Sequence, residues 1–173
     1  MKRAHYLTIS ALVVLADAIT KWIIATRVEL HETIGVIPNL FQIVHVRNSG
    51  AAFGIGANAQ SHVIPFILNG GAIAVFCIVV VYALRTAVSD RLLQVGLHLI
   101  LGGAIGNLVD RFRFGYVVDF LDFYVRDHHW PAFNVADSAI CVGIGLLFLD
   151  MKRKPETTAT AAAPAAPAPN EQA

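Results

Sequence analysis

The stretch PAFNVADSAICVGIGLLFL, Pro131 to Leu149, decides the fold. From Asn134 onward it is apolar enough for a membrane helix, yet Asn134 and Asp137 stand in its first turns, where a carboxylate is costly to desolvate. Asn134 followed three residues later by Asp137 reads as a helix N-cap with an acid in the first turn, which the helix dipole favours. It reads equally well as part of a polar site set into the membrane. Both readings stand at this point.

Working outward, three more segments approach the roughly 20 residues that a bilayer core requires: Tyr6 to Thr26, Val63 to Leu84 and Leu92 to Val109. The first is broken by Asp17 and Lys21. The third is softened by Gly96, Gly102, Gly103 and Gly106, which would let a neighbouring backbone approach closely. Composition agrees, with 56% of the 173 residues hydrophobic and only 14% charged. A net charge of +1 gives nucleic acid no footing. Cys77 and Cys141 lie inside apolar runs and support neither a disulfide framework nor a paired-cysteine metal site. The expected fold is an all-α integral membrane protein of four transmembrane helices, residues 1–154, with membrane lipids around it.

Lys2 and Arg3, then Arg85 and Arg91, then Lys152, Arg153 and Lys154 all fall on one side of an even number of spans. By the positive-inside bias that side is the cytoplasm. Both termini are therefore expected there, in a multi-pass protein of the cytoplasmic (inner) membrane. The outer side receives two connections. Arg27 to His62 alternates around Phe41 to Val46 and leaves through glycines, which reads as short strands. Asp110 to Phe133 contains VVDFLDFYV, apolar enough to lie against the membrane surface. Residues 2–16 also resemble a secretory signal peptide, but the charge count works only if that span stays. The tail, residues 155–173, is Pro/Ala-rich and is expected to be disordered.

Ionisable groups gather towards the outer side. Asp110 and Arg111 end the third span, Asn107 lies one turn earlier, Asp119 and Asp122 follow in the loop, and Asn48 closes the first outer connection. A carboxylate at a helix C-terminus opposes the dipole, so Asp110 needs a cation, with Arg111 or another basic group as its partner. Asp17 and Lys21, spaced i, i+4, share a face and can neutralise each other. Asp122 and Asp127 read as solvated loop acids. His128-His129 has no metal-binding spacing, so no metal and no cofactor is expected. There is no GxSxG, and Ser138 has no base marked by spacing. An acid pair, Asp119 with Asp137, could hold one proton between two carboxylates, the ionised member drawing a proton from water and the other donating to an amide carbonyl.

Five blocks in order carry a resemblance: Asp17 to Lys21 (D-x-x-x-K), NSGAAF from Asn48, GGAIGNLVDR from Gly102, VVDF from Val117, and PAFNVADSAI from Pro131. From Asp17 to Ile140 the chain resembles the bacterial lipoprotein signal peptidase, or signal peptidase II, family. The resemblance implies an aspartic endopeptidase that removes the signal peptide of diacylglyceryl-modified prolipoproteins, cutting before the lipid-bearing cysteine. It implies the dyad at Asp119 and Asp137, with Asn48, Asn107, Asp110, Arg111 and Asn134 supporting it or contacting substrate near the outer face. It also implies a small extracytoplasmic β-sheet platform, here expected from residues 30–55. Ala18 stands where the family usually has Gln, and Ser49 where Thr is common. The rivals are a proton-coupled transporter using Asp17, Asp119 and Asp137 as relays, and a non-catalytic assembly subunit. The transporter lacks an internal repeat and has its acids at one face rather than the midplane. The subunit leaves the polar cluster unexplained.

Overall fold

A computed structural model describes residues 3–50 and 63–153. The AAF end of the NSGAAF block, the glycine-rich exit behind it and the Pro/Ala tail lie outside the described residues. Four helices and four strands follow in the order α1 (Arg3–Arg27), β1 (Thr33–Ile37), β2 (Phe41–Asn48), α2 (Val63–Arg85), α3 (Arg91–Phe114), β3 (Val117–Val125), β4 (His128–His129) and α4 (Val135–Arg153). Helix α3 is the centre of the bundle and packs against each of the other three.

The helices are built inside out relative to a water-soluble bundle. The buried stripe of α1 contains Tyr6, Ser10, Asp17, Lys21 and Ile24, recurring at helical spacing, so its polar groups face its neighbours. Its outer face carries Leu7, Leu12, Leu15 and Trp22, the last 64% exposed. A helix that hides Asp17 and Lys21 while presenting leucines suits a hydrocarbon surround, where charges pair in the interior. Among the described residues, α1 and α3 are the two helices long and apolar enough to cross a membrane. The other two expected spans are present as the helices α2 and α4. Of α2, the stretch Asn69–Arg85 is a shorter apolar helix among the described residues, and α4 has Asp137 in its first turn and Lys152 and Arg153 in its last.

Glycines set how closely α3 is approached. A Cβ on Gly103 would run into the backbone oxygen of Ala136 and come within 2.8 Å of Ile140 Cγ1, both in α4. Without a driving force from water, such contact is what holds helices together in lipid. At the basic end, the Arg3 guanidinium donates to the carbonyl oxygens of Ala83, Leu84 and Thr86. Gln94 Nε2 donates to Ala83 and Thr86 as well, at 3.2 and 3.1 Å. The carbonyls left open at the end of α2 are thereby satisfied.

The sheet departs from expectation. Its order is β1-β2-β3-β4, all antiparallel, so residues 30–55 supply only half of it. VVDFLDFYV is strand β3, paired along β2 from Phe41↔Phe123 to Asn48↔Val117, rather than a segment on the membrane surface. Val118 and Phe120 form a buried cluster with Ile24 and Val28 from the end of α1, which fixes the sheet to the helices. The register shifts between Ile43 and Val46, and His45 lies in that interval. Its Nδ1 bonds the Val28 carbonyl at 2.8 Å, a second tie between β2 and α1.

Candidate active site

Pleating decides which acid of β3 enters the site. Successive side chains of a strand point to opposite faces, so Val118 and Phe120 share the face packed against Ile24 and Val28, and Asp119, between them, takes the other. Val46 is the partner of Asp119 across the ladder, and Asn48, two residues on, is on the same face. Asn48 Oδ1 accepts the Gly50 N–H at 3.0 Å, which orients its amide. The freed Nδ2 donates to Asp119 Oδ2 at 2.9 Å.

The start of α4 comes from the opposite side. Asn134 is fully buried, and its Oδ1 accepts the Asp137 N–H at 3.0 Å while Asp137 Oδ2 accepts the Asn134 N–H at 3.2 Å. That reciprocal pair is a capping box, with Asp137 in the place of the usual Glu or Gln. The same Asn134 donates through Nδ2 to Asp119 Oδ1 at 2.7 Å. One asparagine therefore touches both carboxylates, and the cap reading and the site reading of PAFNVADSAI describe the same atoms.

Helices α3 and α1 close the cluster from behind. Asn107 Nδ2 donates to Asp137 Oδ1 at 2.7 Å. Asn107 Oδ1 accepts from Lys21 Nζ at 3.0 Å and from Asn134 Nδ2 at 3.2 Å. Lys21 Nζ also pairs with Asp17 Oδ2 at 2.7 Å and with Asp110 Oδ2 at 2.8 Å. Asp17 Oδ1 accepts the Ala136 N–H at 3.0 Å, so α1 helps cap α4. Gly106 makes room for this carboxylate, because a Cβ there would be 2.6 Å from Asp17 Oδ2.

Of the partners open to Asp110, Arg111 or another basic group, the structure has the second, Lys21, while Arg111 points Nη1 at the Asn107 carbonyl, at 3.4 Å. Two expectations change. Asp110 is not at the helix end, because α3 runs on to Phe114 and is capped by Gly115 at φ 76°. Asp122 is not a solvated loop acid: it is buried, and its Oδ2 meets Gln42 Nε2 at 2.6 Å and His129 Nδ1 at 2.8 Å. The Ala136 N–H was not singled out by the sequence; Gly106 was, but as a small residue for helix packing rather than as room for a carboxylate.

Burial lifts the Asp119 carboxyl from an ordinary 3.8 to about 6; the Asn48 hydrogen bond opposes the rise and the nearby Asp137 charge adds to it. A carboxyl that holds its proton towards neutrality, joined through Asn134 to a second carboxyl with its own donors, is equipped to give and take protons.

Helices suited to lipid, a sheet across one end and a buried carboxylate cluster between them define a membrane enzyme. Solved structures agree: one described as a bacterial membrane enzyme matches with a TM-score of 0.77 at 30% identity, covering 92% of this chain and 94% of that one. The model of the signal peptidase (SPase) II family matches residues 9–153. The lipoprotein signal peptidase of Syntrophotalea carbinolica is 50% identical over 153 residues, covering 86% of this chain and 93% of the relative. That of Syntrophus aciditrophicus is 42% identical over 149 residues, covering 86% and 92%. The chain belongs to the signal peptidase II family, and with it to the proteases.

Proposed function

We propose that this protein is an aspartic endopeptidase that removes signal peptides from diacylglyceryl-modified prolipoproteins, cutting just before the lipidated cysteine. The observation that carries the reading is Asn134, whose side chain and backbone bond both Asp119 and Asp137. The family supports the substrate class; the two bridged carboxylates support the aspartic chemistry.

The surroundings of the two acids divide the labour. Asp137 accepts the Asn107 N–H and the Asn134 backbone N–H at the start of α4, which fixes its carboxylate in place. It is the base. Asp119, held towards neutrality by burial, is the acid. Asp137 takes a proton from water as the oxygen attacks the scissile carbonyl carbon, and Asp119 gives its proton to the carbonyl oxygen. On collapse, Asp137 returns its proton to the leaving nitrogen, and Asp119 recovers one from the hydroxyl. Charge within the cluster is the same before and after.

In the membrane the four helices act as four spans, with both termini cytoplasmic and the dyad near the outer face of the inner membrane. The acyl chains of the substrate lie along the lipid-facing helices while the peptide crosses the sheet side, and remote binding of this kind positions the bond to be cut. Purified full-length protein should cut a diacylglyceryl-modified precursor at least about a hundredfold faster, in kcat/KM, than the same precursor without lipid. Equal rates would remove the substrate assignment, and no cutting of either would remove the peptidase reading.

A further inference from the structure

Neutralisation alone does not account for Lys21. Its ammonium has three N–H donors and no acceptor, and three partners stand within reach: Asp17 Oδ2 at 2.7 Å, Asp110 Oδ2 at 2.8 Å and Asn107 Oδ1 at 3.0 Å. One carboxylate would balance its charge. Two, from α1 and α3, hold the ammonium from two directions, Asp110 as an ion pair without a formed hydrogen bond, while an N–H donor reaches Asn107. The residue is only 4% exposed, so water offers little alternative.

The N–H donor to Asn107 meets a group with two possible faces. A primary amide can turn over, exchanging oxygen for nitrogen. Asn107 as oriented accepts at Oδ1 from Lys21 and Asn134, and donates from Nδ2 to Asp137 Oδ1 at 2.7 Å. Turned over, it would set its NH2 against an ammonium and its oxygen against a carboxylate, unfavourable on both sides. The Asn134 donor alone is a weak guide, because Asn134 Nδ2 lies closer to Asp119, at 2.7 Å against 3.2 Å. We infer that Lys21 is a positioning residue for cleavage: its ammonium locks the Asn107 amide so that an N–H always faces Asp137, keeping that carboxylate ready to take the proton of water. Lys21 touches neither aspartate of the dyad in this arrangement and acts through Asn107.

The inference rests on the peptidase reading, and its test separates the two. Wild type, Lys21→Met, Asn107→Ala and the double variant are purified as full chains in lipid nanodiscs and assayed on the diacylglyceryl precursor, with thermal midpoints recorded. Lys21→Met should lower kcat about thirtyfold with KM within about twofold, the pattern of a lost transition-state interaction. Asn107→Ala should do much the same, and the double variant should be no slower than the worse single, because residues acting as a unit are non-additive. A purely structural lysine would lower the thermal midpoint and cost the same factor whether or not Asn107 is present. Multiplied losses, or an unchanged kcat in Lys21→Met, would overturn the inference. Lys21→Met leaves two buried carboxylates facing each other, so Lys21→Met/Asp110→Asn is run beside it; loss of fold in both assigns Lys21 to stability instead. If wild type leaves the precursor intact, or Asp119→Asn and Asp137→Asn cut it, the peptidase reading falls and takes this inference with it.

Discussion

The side chains around the proposed dyad make distinct demands on substitution. Asp119→Asn and Asp137→Asn keep the shape of each carboxyl but cannot exchange its proton, so each should cut kcat by about a thousandfold or more while the protein still inserts and folds. A precursor-cleavage assay with either variant near wild-type rate would end the aspartic mechanism. Asp122→Asn is the contrast. Its partners are Gln42 and His129 rather than the groups around Asp119 and Asp137, so activity should persist, but an amide N–H placed at its buried, unpartnered Oδ1 should cost about 1–3 kcal/mol of stability, read from the thermal midpoint. The pH behaviour follows from Asp119, raised from 3.8 to about 6. As the proposed proton donor it must be protonated, so kcat/KM, which reports the free enzyme, should fall as pH rises through about 6. For stability the sign is that of a raised acid: its contribution is full below about 3.8 and is lost as pH climbs through about 6. The thermal midpoint of Asp119→Asn relative to wild type should therefore climb between pH 4 and 6 and then level off; a gap that narrows over that window contradicts the assignment. Most of these residues were legible in the sequence because polar groups in apolar runs stand out. Asp122 was misread because nothing local marks which of two acids in VVDFLDFYV faces inward; only pleat and register do.

The elements explain what pattern could and could not reveal. The first three helices were legible from length and apolarity, within a few residues of α1, α2 and α3 except that α3 extends five residues past Val109. Strand β3 was not legible, because residues 117–120 are all buried and a strand covered on both faces loses its alternation. His128-His129 pairs with Tyr124 and Val125 to form β4, a contact too short to leave a pattern. The packing of α3 on α4 yields a test of its own. Gly103→Val should push the start of α4, and Asp137 with it, away from Asn107, lowering both the thermal midpoint and kcat, since overpacking of this kind costs about 1–3 kcal/mol. Gly145→Ala is the matched control, because nothing lies within 4 Å of a Cβ there. It should be neutral or stabilising by up to about 1 kcal/mol from helix propensity. Equal damage from both would mean that the close approach at Gly103 is unimportant.

For the whole molecule the question is how the chain threads the bilayer. The inside-out arrangement of α1, with Lys21 buried and Trp22 bare, was foreshadowed by Asp17 and Lys21 interrupting an apolar run. The joining of α1, α3, β2, β3 and α4 at one polar cluster was not, since it depends on contacts between residues as distant as Asp17 and Ala136. If the four helices act as four spans, as proposed, their basic ends on one side imply a definite topology. Alkaline phosphatase fused after Arg153 should be inactive, and fused after a truncation at Asp127, behind three spans, it should be active. The reverse pattern would invert the protein in the membrane and put the dyad on the cytoplasmic side.

The capping box at Asn134 and Asp137 has a consequence for inhibition. A compound that mimics the tetrahedral state by gripping Asp137 would lean on a carboxylate whose partner in the cap, Asn134, is fully buried, and the chain cannot readily change either. Altering either loosens the first turn of α4 at a cost of about 1 kcal/mol or more, on top of what it does to the chemistry. Mutational escape is thereby driven outward to the side chains lining the mouth of the site, where a residue can be exchanged without fraying a helix. Inhibitors that spend their contacts on the cap should be slower to meet resistance than those that spend them on the rim.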